Sequence, residues 1–108
     1  MAHKINCIEN AHGSYIRDIS WSFDMTKMYH QIATCSEDKT FKIWELDYQF
    51  KEIKSHEIKK DNPVWKVSWN FMGNLLAVSF DNEHKKECVG VYYQNNDGDW
   101  ISDLMSSQ

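Results

Sequence analysis

Thr34, His12 and Asp38 supply, by chemical type, a hydroxyl nucleophile, a base and an orienting carboxylate, the parts of a hydrolytic relay. A hydrolase built on them needs two further things, donors for an oxyanion and a cleft for substrate. The surrounding sequence signals neither. The other histidines, His3, His30, His56 and His84, stand at no spacing that ligates a metal and read as solvent-facing residues of loops and strand ends. No metal and no cofactor is expected. Cys7, Cys35 and Cys88 are odd in number and far apart, which fits neither a disulfide framework nor a zinc knuckle. They read as reduced thiols packed as small hydrophobes in a reducing compartment.

The composition narrows the setting of these residues. Of the 108 residues 42% are apolar and 14% aromatic, enough for a packed core in one domain. Twelve basic against 16 acidic side chains leave a net charge of −4, so no nucleic-acid footprint is expected. No apolar run is long enough to span a bilayer, and Met1 is followed by Ala-His-Lys-Ile-Asn rather than an apolar signal core. The expectation is a soluble, intracellular protein.

The elements that position the candidate residues come in two copies. Ile16-Arg17-Asp18-Ile19-Ser20-Trp21 lies over Val64-Trp65-Lys66-Val67-Ser68-Trp69 at an offset of 48 residues. Gln31 to Asp38 lies over Leu75 to Asn82 at an offset of 44, and Phe41-Lys42-Ile43-Trp44 over Val89-Gly90-Val91-Tyr92 at 48 again. The differences fall between the segments and cancel, as loop insertions do. Each segment is short and rich in Ile, Val, Trp, Tyr and Phe, with polar turns such as Ser36-Glu37-Asp38-Lys39 and Met72-Gly73-Asn74 between them. A fourth strand is expected at Phe50 to His56 and at Trp100 to Leu104, the latter after Asn95-Asn96-Asp97-Gly98-Asp99. Lys51 to Lys60 is the one stretch whose pattern also permits a short helix. Four strands per unit of roughly 40 to 45 residues is the arithmetic of a propeller blade, so the fold class is all-β.

Ala11-His12-Gly13 before the first strand and Asp38-Lys39-Thr40-Phe41-Lys42-Ile43-Trp44-Glu45 at the third resemble the two ends of a WD repeat, with Glu45 in place of the usual Asp. The resemblance implies a structural tetrad: a buried chain from the Trp44 indole through the Thr34 hydroxyl and the His12 ring to the Asp38 carboxylate. It acts as a clasp, with Trp44 occupying the threonine hydroxyl, and leaves a hydrolase on Thr34, His12 and Asp38 as the distant alternative. In the second copy Lys60, Val78, Asn82 and Tyr92 replace His12, Thr34, Asp38 and Trp44, so that blade is expected to rely on apolar packing by Val64, Val67, Trp69, Leu76, Val78, Val89 and Val91. Residues 1–10 read as an outer strand of a preceding blade plus linker, 11–57 as the blade with the tetrad, and 58–108 as a diverged final blade and tail.

Pro63 to Trp69, Gly73 to Ser79 and Asp97-Gly98-Asp99-Trp100 are similar to the final blade of the small propeller shared by the COPII outer cage and the nuclear-pore Y-complex, the Sec-thirteen type. Tyr15 to Trp21 and Ile32 to Asp38 resemble its penultimate blade, and Tyr29 with Ile32-Ala33-Thr34 resembles equally the sister Seh-type nucleoporin. Asn82 to Glu87 depart from the short Gly-rich hairpin usual there. The family builds an open six-bladed ring that partner proteins complete, and this chain supplies two blades of it. The resemblance implies a non-catalytic scaffold at endoplasmic reticulum exit sites or the nuclear envelope. Its partners would be large helical-solenoid proteins, and it would reach a membrane only through them. A generic WD-repeat adaptor is the alternative.

Overall fold

The computed structural model describes residues 7–84 and 87–102. Alternating apolar and polar residues dictate strands, and among the described residues eight form: β1 (Ile16–Asp24), β2 (Tyr29–Ser36), β3 (Thr40–Leu46), β4 (Glu52–Lys59), β5 (Val64–Trp69), β6 (Leu76–Asp81), β7 (Glu87–Gln94) and β8 (Trp100–Ser102). They make two four-stranded antiparallel sheets, ordered β1-β2-β3-β4 and β5-β6-β7-β8. The described residues are all-β, and their sheets are two propeller blades. Lys51 to Lys60, where a helix was also open, is strand: β4 pairs Ile58 with Phe41 and His56 with Ile43. Of the outer strand expected within residues 1–10, residues 1–6 lie outside the described residues, and Cys7 to Glu9 are not strand. Asp103 and Leu104 also lie outside them.

The four extra residues of the first copy do not make a longer loop. They extend the β1–β2 hairpin by the pairs Ser22 with Gln31, Phe23 with His30 and Asp24 with Tyr29. A tight turn closes it, in which the buried Asp24 carboxylate accepts from the amides of Thr26 and Lys27 at 2.9 and 3.2 Å.

Pleating gives each sheet two faces. One face of the first sheet presents Ala33, Cys35, Phe41 and Ile43, all fully buried against Val64, Val67, Leu76, Val78, Tyr92 and Trp100 of the second sheet. This joint is the hydrophobic core. Phe41 meets the Tyr92 ring edge-on at 4.8 Å, and Trp69 meets Trp100 at 5.6 Å. Of the apolar residues expected to hold the second blade, Val64, Val67, Leu76 and Val78 are buried and Trp69 is partly so. Val89 is not. It is 61% exposed because the period of two turns it to the opposite face.

Candidate functional site

The β2–β3 turn holds Asp38 before any long-range contact is made. The Asp38 amide donates to the Ser36 hydroxyl at 3.0 Å, Lys39 takes the left-handed conformation at φ 74°, and Asp38 Oδ1 accepts from the Thr40 amide at 2.9 Å and hydroxyl at 2.6 Å. The Ala11–Gly13 loop then closes on this turn. Gly13 N–H donates to Asp38 Oδ2 at 2.9 Å, and the Lys42 ammonium donates to the Ala11 carbonyl at 2.6 Å.

His12 fills the space between loop and hairpin, its side chain fully enclosed. Nδ1 lies 3.0 Å from both Asp38 Oδ2 and the Thr40 hydroxyl, and Nε2 lies 2.7 Å from the Thr34 hydroxyl. The Trp44 indole donates to that same hydroxyl at 3.0 Å. The four tetrad side chains thus form one connected chain across three elements. Asp38 is acceptor-only as a carboxylate, so Nδ1 donates to it, and in the neutral ring Nε2 accepts from Thr34. Burial raises the Asp38 pKa, but the bonds from the Thr40 hydroxyl, Gly13 N–H, His12 and Thr40 N–H outweigh it and bring it down to about 2.

Geometrically this is also a Thr-His-Asp relay. Thr34 is 5% exposed and borders an apolar cleft of about 250 Å³ lined also by Ile16, Ile19, Ile32, Trp44 and Leu46. Its hydroxyl proton is given to His12 and its lone pair to Trp44, an arrangement that secures two strands and a loop to each other.

The second blade carries its own clasp. Lys60, at the position of His12, donates to the hydroxyl of Tyr92, at the position of Trp44, at 2.9 Å. Its ammonium also sits 4.2 Å from the Phe80 ring centroid. The expectation that this blade rests on apolar packing alone is therefore corrected. A longer cation reaching a phenol replaces a four-member chain with a direct bond. The signal was present in the sequence as the joint change of His12 to Lys60 and Trp44 to Tyr92. Val78 packs in the core, and Asn82 Oδ1 accepts from the His84 amide at 2.9 Å.

Two histidines expected to face solvent are engaged within strands instead. His56 Nε2 lies 2.9 Å from the carboxylate of Glu45, which is 2% exposed, and its ring meets Trp100 across the joint. His30 Nδ1 accepts from the Trp21 indole at 3.0 Å and its ring stacks on Phe50 at 4.3 Å. His84 is exposed, and His3 lies outside the described residues. Glu45 points away from the tetrad because it follows Trp44 on the strand. It also raises the Tyr29 pKa, where burial is the larger cause and the Glu45 charge and hydrogen bond come next. Of the cysteines Cys35 is buried, and burial first, then the Asp18 charge, pushes its thiol up to about 12. Among the described residues no group of three His, Cys, Asp or Glu is placed to hold a metal, and no helix is long and apolar enough to cross a membrane.

Polar bonds complete the joint between the blades. Asp18 Oδ2 accepts from the Val67 amide at 3.1 Å, the Ser20 hydroxyl accepts from the Trp69 amide at 3.3 Å, and the Trp69 indole donates to the Ser20 carbonyl at 3.2 Å. Sequence reasoning did not single out Asp18 or Ser20. The signal was the serine kept one residue before each tryptophan of the repeat.

Comparison with known proteins agrees with this architecture. The family described as "WD domain, G-beta repeat" matches residues 3–45. The chain is 34% identical over 100 residues to "Protein transport protein SEC13 homolog A" of Arabidopsis thaliana, covering 90% of this chain and 32% of the relative. It is 37% identical over 90 residues to "Protein transport protein sec13" of Neurospora crassa, covering 82% and 28%, and 32% identical over 92 residues to "Protein SEC13 homolog" of Drosophila melanogaster, covering 84% and 25%. The chain spans between a quarter and a third of the length of these relatives. Two four-stranded blades, a matched WD repeat and this similarity along most of the sequence make the chain a Sec13-like WD-repeat protein.

Proposed function

We propose that the chain is a non-catalytic structural scaffold in protein transport, working in a COPII vesicle coat or the nuclear-pore Y-complex by binding helical-solenoid coat proteins. The observation that carries this reading is the similarity, over 82 to 90% of the chain, to Sec13 proteins whose names assign them to protein transport. The chemistry of the site supports it. The Thr-His-Asp set holds loop and strands together, and the Thr34 hydroxyl is engaged by both the His12 ring and the Trp44 indole. The functional units are the blade of residues 11–57 with its tetrad and the blade of residues 58–108. The place of work is the cytoplasmic face of endoplasmic reticulum exit sites or the nuclear envelope, reached through the partners.

Co-expression of the tagged chain with helical-solenoid coat and nucleoporin scaffold proteins, followed by purification and mass spectrometry, tests the reading. A stoichiometric complex with one of them is the expected result. Absence of any such complex, or ester or peptide hydrolysis lost in Thr34→Ala, would overturn it.

A further inference from the structure

Exposed apolar side chains gather in the turns at one end of the two sheets: Met25 and Met28 between β1 and β2, Tyr48 between β3 and β4, and Phe71, Met72 and Leu75 between β5 and β6. These turns join consecutive strands within a blade. A further blade packs on a sheet face, so it leaves them at the open end of the propeller. Between them runs a groove of two adjoining cavities, about 340 and 280 Å³, which share Thr26 and Met72 as walls. The first is apolar and bordered by Met25, Phe71 and Met72, of which Phe71 is 98% exposed. The second is polar and reaches the β7–β8 turn at Asn95 and Trp100. The groove thus lies between turns of two blades that the chain itself contains.

The chemistry of its walls selects an occupant. Methionine side chains are unbranched and polarizable, so Met25 and Met72 adapt to an incoming apolar group beside the Phe71 ring. Trp100 is 8% exposed, and its buried indole N–H has no hydrogen-bond partner among the described residues, which calls for an acceptor at the polar end. The one cation in the walls is turned inward: the Lys27 ammonium donates to the Gln94 side-chain carbonyl and lies 5.8 Å from the Trp100 ring centroid. Beside it in the β7–β8 turn, Asp97 and Asp99 are exposed and form no ion pair among the described residues. The polar end therefore attracts positive charge.

We infer that this groove binds an extended segment of a partner protein, with a large apolar side chain between Met25, Phe71 and Met72, a main-chain carbonyl at the Trp100 indole, and a lysine or arginine against Asp97 and Asp99. A helix commits its carbonyls to its own amides, whereas an extended segment has carbonyls free to accept from the indole. An acidic segment would meet the two aspartates and is excluded by like charge. The site is separate from the sheet faces on which further blades pack. It takes from the scaffold reading only that the occupant is a protein.

Random displayed peptides selected on the full chain are the probe, and fluorescence anisotropy reads the affinity of the selected sequences. They are expected to carry one large apolar residue near a lysine or arginine, to bind more weakly as salt is raised, and to lose about tenfold or more in affinity for Phe71→Ser. Asp97→Lys combined with Asp99→Lys should weaken them likewise and favour counterparts with glutamate in place of the basic residue. All three positions are exposed, and circular dichroism verifies that the variants keep the fold. The Trp100 indole proton should shift in NMR spectra when a selected peptide is added. Selection of acidic sequences or of none, affinity unmoved by Phe71→Ser, an unshifted indole signal, or helix gained on binding in difference circular dichroism overturns the proposal. Capture of a solenoid partner by co-expression is a separate measurement, so either reading can fail alone.

Discussion

Thr34 shows how much depends on one hydroxyl. It satisfies a ring nitrogen and an indole N–H at once, and both lose their partner when it is removed. Thr34→Val keeps the shape and is expected to cost about 1 to 3 kcal/mol for each group left unsatisfied. Urea denaturation measures it, and a change below about 0.5 kcal/mol, the scale of a neutral surface substitution, would contradict the clasp. Asp38 makes a second expectation. Its folded pKa of about 2 lies below its ordinary value, so its contribution is present above that ordinary value and is lost as pH falls toward 2. The shift corresponds to about 2 kcal/mol at neutral pH. Asp38→Asn should flatten the fall in stability between about pH 5 and 2, read from denaturation midpoints across that range. An unchanged pH profile would place the acid sensitivity elsewhere.

Among the elements, the two hairpins that meet at the joint are the most exacting. Gly73, in the β5–β6 turn, has φ of 76°, and a Cβ there would sit 2.4 Å from the Ser22 hydroxyl of β1. Its carbonyl also accepts from the buried Gln31 side chain at 2.7 Å. Gly73→Ala therefore meets both backbone strain and a clash, and a loss of about 1 to 3 kcal/mol is expected in thermal or chemical unfolding. Pairing it with Ser22→Ala should recover part of the loss, since that removes the clashing atom and leaves the strain. Lys60 makes the comparable test for the second clasp. Lys60→Met keeps a side chain of similar length but removes both the donor to Tyr92 and the cation over Phe80, and a loss of about 1 to 2 kcal/mol is expected. Full tolerance of this change would return the second blade to apolar packing alone.

At the scale of the molecule, the blades behave as one body if the joint is as continuous as its bonds indicate. The Val67 and Trp69 amides bond to side chains of β1 rather than to their own sheet. Asp18→Ala and Ser20→Ala should speed hydrogen exchange at Val67 and Trp69 while leaving the β6–β7 ladder protected. Exchange that rises uniformly through both sheets would mean that these bonds govern global stability and not the joint.

The strands, their number per blade and the doubling of the blade are legible in the sequence because alternation and turn chemistry are local properties. His12, Thr34, Asp38 and Trp44 are legible as a set because their spacing follows from one hairpin and one loop, and Asp38 is held largely by its own turn. What the sequence left undecided depends on residues far apart in it. That Lys60 reaches Tyr92, that His56 reaches Glu45 through adjacent strands, and that Ser20 and Asp18 receive the amides of β5 are consequences of how two sheets stack. Val89 was misplaced among core residues for the same reason, since composition marks it as apolar and only the stacking of the sheets decides that its face of β7 is the uncovered one. Local alternation determines which residues share a face; only the packing of one sheet on another decides which face is covered and which polar groups meet there.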